Sequence, residues 1–169
     1  YAANGHIFER PNRPEIGYAQ RDQILLGDGR GRFTELRCPV LEADPQVGRG
    51  LAAADFDRDG DPDLAVSNND GPLQLLAGDL PGRFLAARLA GAGGNREAVG
   101  AVVTRVAGAS RQLRWVTAGD SYQSASDRAV LFALPEGEEP GALEVLWPSG
   151  RVQRFESPPA GTYLTLHEP

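Results

Sequence analysis

The sequence predicts an all-β fold, and three observations carry that prediction. Twenty-one glycines and 13 prolines stand among 169 residues, about a fifth of the chain against roughly 12% in average proteins. Short apolar or alternating runs recur between turn signals. No amphipathic period lasts for three helical turns. In order, the strand candidates are Gln23–Leu26, Gly50–Phe56, Pro62–Ser67, Leu73–Leu76, Phe84–Leu89, Val99–Ala107, Gln112–Thr117, Ala129–Leu134, Ala142–Trp147, Val152–Phe155 and Thr162–Leu166. The turns between them fall at Gly29-Arg30-Gly31, Asn69-Asp70-Gly71, Pro81-Gly82, Gly91–Gly94, Pro135–Gly141, Pro148-Ser149-Gly150 and Pro158–Gly161. There glycine, proline, asparagine and aspartate supply the backbone angles a reversal needs. Arg10–Arg21, broken by Pro11 and Pro14, reads as an extended loop.

Composition narrows the function. The chain has 17 basic residues, all arginine, and 23 acidic ones, for a net charge of −6. That balance argues against nucleic acid as a partner, because phosphate binding needs clustered positive charge. The densest basic pair, Arg30 and Arg32, reads as solvated surface. No apolar run approaches the roughly 18 residues of a membrane span. Cys38 is the single cysteine, which excludes an intrachain disulfide and a cysteine-built zinc site. It reads as a small buried hydrophobe, with an intermolecular disulfide as the alternative. His6 and His167 lie near opposite ends with no metal-ligand spacing and read as surface or interface residues. Trp115 and Trp147 sit in alternating apolar segments and read as core. The chain contains no methionine, as expected of a processed or trimmed chain or a fragment.

An internal repeat organises the first half. Ile24-Leu25-Leu26-Gly27-Asp28 with Gly31-Arg32-Phe33 returns as Leu75-Leu76-Ala77-Gly78-Asp79 with Gly82-Arg83-Phe84. Ala2-Ala3-Asn4 can likewise be laid on Val66-Ser67-Asn68. A unit of several short strands recurring at this spacing suits the four-stranded blades of a propeller. From about Asn95 the signature is gone, so a boundary falls near Gly91-Ala92-Gly93-Gly94.

The sharpest chemical signal is Asp55-Phe56-Asp57-Arg58-Asp59-Gly60-Asp61-Pro62-Asp63. Five aspartates alternate through it, and with Arg58 the local charge is −4, unfavourable unless a cation offsets it. Ca²⁺ fits, being hard, oxygen-seeking and served by 6–8 ligands at roughly 2.3–2.6 Å. Asp55, Asp57 and Asp59 would give side-chain oxygens, Gly60 the sharp turn, Asp61 its carbonyl, and Asp63 the closing ligand. Pro62 has no N–H and so cannot donate to the ladder or the cage. An EF-hand would need an acidic residue at the twelfth position, which is Val66, and helical flanks where strand-sized segments stand. Mg²⁺ fits less well because it demands a rigid octahedron. An acidic solvated turn with no ion is the competing reading. Asp28-Gly29-Arg30-Gly31 has one carboxylate and reads as a plain turn.

Gly50–Asn69, with this loop at its centre, resembles an FG-GAP/VCBS-type repeat, the blade unit of integrin-like β-propellers. In that family an aspartate-rich calcium loop joins the two inner strands. The second half resembles the ASPIC/UnbV domain of the cartilage acidic protein family and its bacterial relatives. Asn95-Arg96-Glu97-Ala98-Val99-Gly100-Ala101, Gly119–Asp127, Leu131-Phe132-Ala133-Leu134 and Val145–Arg151 carry that likeness in order. The fold class expected is therefore incomplete propeller blades over residues 1–92, then a β-sandwich-like domain over 93–169. Tyr1–His6 resembles the strand after a preceding calcium loop, which implies missing upstream blades. An open propeller piece would expose strand edges and be prone to self-association.

The resemblance implies a calcium-binding recognition or adhesion module, secreted, periplasmic or at the cell surface, with a protein or carbohydrate ligand and no catalytic residues or organic cofactor. The alternative is an accessory or enzyme-like protein of secondary-metabolite biosynthesis, since relatives occur in antibiotic gene clusters. It would use the polar loop Asp120–Asp127, where Ser121, Tyr122, Ser124, Ser126 and Asp127 cluster. The reading that competes with it, and is favoured, is a structural turn whose hydroxyls satisfy the backbone.

Overall fold

The computed structural model describes residues 1–9, 11–13, 17–79 and 82–169. Arg10 and residues 14–16 of the extended loop, and Pro81 of one turn, lie outside the described residues. The strands are β1 (Ile24–Gly27), β2 (Phe33–Leu36), β3 (Gly48–Ala54), β4 (Asp63–Asn68), β5 (Gln74–Leu76), β6 (Arg83–Ala90), β7 (Val102–Ala107), β8 (Ser110–Trp115), β9 (Val130–Leu134), β10 (Ala142–Leu146), β11 (Val152–Glu156) and β12 (Tyr163–His167). One short helix, α1 (Pro39–Ala43), follows β2. The fold is thus all-β, and each strand candidate overlaps a strand. Two elements escape the sequence reading. β2 is four residues long, FTEL, too short to show alternation. The helix is five residues long, with a proline in its first turn and Leu41 as its single buried residue, too short to show a helical period.

The chain forms two compact units. The first comprises Tyr1–Ala53, Leu64–Leu76 and Ser121–Ala125. In it β1 and β2 make an antiparallel hairpin with Ile24 opposite Leu36 and Gly27 opposite Phe33. Gly29 and Gly31, at φ 73° and 80°, let the chain reverse there. β3, β4 and β5 lie side by side in one sheet. The N-terminal segment is stitched down by bridges from Ala2 to Gln23 and from Gly5 to Ala19. Asp22 anchors it as a buried carboxylate, accepting the Tyr1 hydroxyl and the Asn4 amide, each at 2.7 Å. Among the described residues Leu41, Val47 and Val66 are this unit's buried apolar side chains, while Leu25, Leu26, Phe33 and Leu36 of the hairpin are exposed.

The second unit comprises Ala54–Asp63, Ala77–Asp120 and Ser126–Pro169. It has a four-stranded antiparallel sheet in the order β11-β10-β7-β8 and a three-stranded sheet in the order β12-β6-β9. In the latter β12 runs parallel to β6 and β9 antiparallel to it. Inward residues of both sheets share one core: Leu85 and Phe132 from one, Val103, Leu143 and Val145 from the other, with Trp147 in the same cluster. This sandwich-like packing arises because alternate strand residues face one side. The run Phe84–Leu89 forms most of β6 and pairs with β9 and β12.

The two tryptophans separate. Trp147 is 1% exposed and its indole N–H donates to Gln153 Oε1 at 3.0 Å. Trp115 corrects the core reading, being 64% exposed. It ends β8, the edge strand of its sheet, and the inward position falls to the next residue, the buried Val116. Cys38 is half-buried and free.

Candidate metal centre

The aspartate loop leaves β3 at Asp55 and enters β4 at Asp63. Its shape follows from short-range hydrogen bonding. Asp57 Oδ1 accepts the Asp59 amide at 3.2 Å and Asp59 Oδ1 accepts the Asp61 amide at 3.1 Å. These are turns of the kind aspartate makes with the amide two residues on. Asp55 Oδ2 accepts the Gly60 amide across the loop at 3.0 Å. Arg58 at φ 64° and Gly60 at φ 103° take the left-handed backbone that the curl needs. Asp63 ties the loop's end to its start, its Oδ2 accepting the Phe56 amide at 2.7 Å, while its Oδ1 accepts the Gly78 amide at 2.9 Å.

The result is convergence of three carboxylates. Asp55, Asp57 and Asp63 each present an oxygen, and the three oxygens lie within 4.8 Å of one another. Two oxygens on opposite sides of one calcium ion lie about 4.6–5.2 Å apart, given ligand distances of 2.3–2.6 Å. The three carboxylates would offer an ion only anionic oxygens, which suits a hard cation. Asp59 and Asp61 stand outside that group of three. The Asp61 side chain is only 4% exposed, as is that of Asp63. Gly78 leaves room for it, since a Cβ there would fall 2.0 Å from Asp61 Oδ1. Asp55 Oδ1 is buried and has no hydrogen-bond partner.

Electrostatics agree with this crowding. The Asp59 amide bond draws the Asp57 carboxyl down, but desolvation and repulsion from Asp59, Asp63 and Asp55 outweigh it and leave the group above its ordinary range. The single-carboxylate turn behaves otherwise. Asp28 Oδ1 accepts the Arg30 and Arg32 amides at 2.7 and 3.1 Å, closing an ordinary loop.

One contributor carried no sequence signal. The Tyr163 hydroxyl donates to Asp55 Oδ2 at 2.7 Å from 108 residues away. Burial first, then the hydrogen bond to Asp55 and the charges of Asp55 and Asp127, hold its phenol far above the usual tyrosine range.

The polar loop is engaged in main-chain and ionic contacts. Ser124 Oγ donates to the Leu51 carbonyl at 2.7 Å and accepts the Leu51 amide at 3.0 Å. Asp127 receives Arg88 in a two-pronged pair at 2.7 and 2.8 Å. Asp120 Oδ1 accepts the Ser126 amide at 3.1 Å, and Tyr122 is exposed.

Residues 47–80 match the family model of the FG-GAP repeat, and residues 91–169 match the model named ASPIC and UnbV. No curated protein matches the chain.

Proposed function

Because the chain carries an FG-GAP repeat followed by an ASPIC/UnbV domain, we propose that it is a calcium-binding recognition module of an integrin-like propeller protein. FG-GAP repeats are propeller blades typical of extracellular or surface proteins. No helix among the described residues is long and apolar enough to cross a membrane. On this reading the protein is secreted, periplasmic or displayed at the surface. It meets a protein or carbohydrate ligand, and its ion serves shape and not chemistry.

The observation that supports calcium best is the convergence of one oxygen each from Asp55, Asp57 and Asp63, and Asp55 also carries a buried oxygen, Oδ1, with no hydrogen-bond partner. A buried acceptor with no donor costs about 1–3 kcal/mol, and like charges this close repel. A divalent ion removes both penalties. Asp55, Asp57 and Asp63 would hold it, with Asp59 and the Asp61 carbonyl completing the shell. The ion would halve the loop's charge of −4 and fix the turn between β3 and β4. Binding at 100 times Kd stabilises a fold by about 2.7 kcal/mol.

Calcium titration by calorimetry, with thermal melting in calcium and in chelator, tests the reading. Wild-type protein should release or absorb heat on binding and melt higher in calcium. Asp57→Ala and Asp59→Ala should each weaken binding about 10-fold or more, because affinity follows the ligand charge count. Asp28→Ala should leave calcium affinity unchanged. A wild-type chain that gives neither heat nor a melting shift would sink the proposal.

A further inference from the structure

Tyr163 opens β12, and the reason for its long reach to the loop is chemical. Its hydroxyl and the Gly60 amide both donate to Asp55 Oδ2. Two donors on one oxygen fix the carboxylate plane. The other oxygen, Oδ1, then stays where no protein donor reaches it. Rotating the carboxylate to relieve Oδ1 would break both bonds, so the clamp holds Oδ1 in its buried position.

Other contacts bind the same loop to β6 and β12. Phe84 of β6 fills the space over Gly60, where a Cβ would fall 2.0 Å from Phe84 Cδ1. The Phe84 and Tyr163 rings lie 6.0 Å apart at 57°. The Arg58 guanidinium stands 5.9 Å from the centre of the Tyr163 ring. The Tyr163 backbone is registered against Ala86 in the parallel pairing of β12 with β6. β12 is the edge strand of its sheet, held on one side only, so a contact at its first residue bears on its seating.

We propose that Tyr163 is a positioning residue for the cation site, and that ion binding at the aspartate loop is coupled to the seating of β12. The inference rests on the calcium reading of the loop. Partners that orient a metal ligand change affinity about 10–100-fold when removed. The coupling is reciprocal by linkage, so the ion must stabilise β12 as much as β12 favours the ion.

Tyr163→Phe keeps the ring and removes only the oxygen. By calorimetry its calcium Kd should rise about 10–100-fold, while Tyr122→Phe, at an exposed tyrosine, should leave Kd unchanged. Terbium adds a spectroscopic readout, because a nearby tyrosine sensitises its emission. Wild-type protein loaded with terbium should emit under tyrosine excitation, and Tyr163→Phe should lose most of that emission even at saturation. Amide exchange at Leu164, Thr165 and Leu166 of the wild-type chain should slow when calcium is added. A tyrosine with a purely structural role would lower the melting temperature of the variant and leave Kd alone. Calcium affinity within about twofold of wild type in Tyr163→Phe overturns the inference. So does unchanged exchange in β12 at calcium saturation, a measurement that requires no variant. If wild-type protein binds no calcium, the reading of the loop fails first and this inference falls with it.

Discussion

Gly60→Ala separates two costs that the loop combines. The residue sits at φ 103°, where an L side chain is strained by about 1–3 kcal/mol. Its new Cβ would also lie 2.0, 2.4 and 2.8 Å from Cδ1, Cγ and Cβ of Phe84. Phe84 is buried in β6, so its ring cannot simply swing into solvent, and overpacking of this kind costs about 1–3 kcal/mol. Together the loss comes to about 2–6 kcal/mol, a large part of the 5–15 kcal/mol that stabilises a typical domain. Two other glycines of the same unit calibrate it. Gly93 has φ 64° with nothing within 4 Å of an added Cβ, so Gly93→Ala carries backbone strain alone, about 1–2 kcal/mol. Gly119 has neither positive φ nor neighbours, so Gly119→Ala should be neutral or stabilising by up to about 1 kcal/mol. Urea unfolding in chelator, followed by fluorescence of the buried Trp147, ranks the three without any contribution from an ion. If Gly60→Ala costs no more than Gly93→Ala, Phe84 does not press on Gly60 and the packing argument is refuted.

Two further predictions concern charge in the second unit. Arg105 is 1% exposed, donates to the Pro140 and Glu139 carbonyls at 2.9 and 2.8 Å, and pairs with Glu138 at 2.8 Å. Arg105→Met should destabilise by about 2–4 kcal/mol in urea, because it leaves carbonyls without donors; an unchanged midpoint would contradict this. Glu144 is held below its ordinary value of 4.5, first by the Arg111 hydrogen bond and then by Arg154, against the opposing effect of partial desolvation. A carboxyl depressed on folding stabilises the protein above its unfolded value, and that contribution is lost as pH falls through the folded one. Carboxyl-carbon NMR should therefore find Glu144 titrating below 4.5, and Arg111→Gln should move it back up; a titration at 4.5 in the wild type would remove the claimed ion pair.

The strands were legible because alternation and turn chemistry are local. The exceptions are equally physical. FTEL at 33–36 becomes β2 through pairing with β1, which four residues cannot announce. The repeat was legible as sequence, but its copies fold differently. Phe33 pairs back on its own hairpin, whereas Phe84 joins β9 and β12. Gly27 faces the Phe33 ring, where an added Cβ would lie 3.2 Å away, and its counterpart Gly78 makes room for Asp61. Trp115 is exposed against expectation because alternation does not say which face of a strand is covered, and β8 is an edge.

The sequence by itself determined the carboxylate cluster. Five carboxylates at alternate positions and a glycine at the turn lie within nine residues, and covalent reach alone brings such neighbours together through amide bonds two residues apart. Only the tertiary structure decided which carboxylates converge and which oxygen stays open. Asp55, Asp57 and Asp63 are gathered partly by Phe56 and Gly78 amides, and Asp55 is clamped by a hydroxyl from 108 residues away. That hydroxyl arrives because β12 registers Tyr163 against Ala86, and no local pattern encodes a register between strands so distant in the chain.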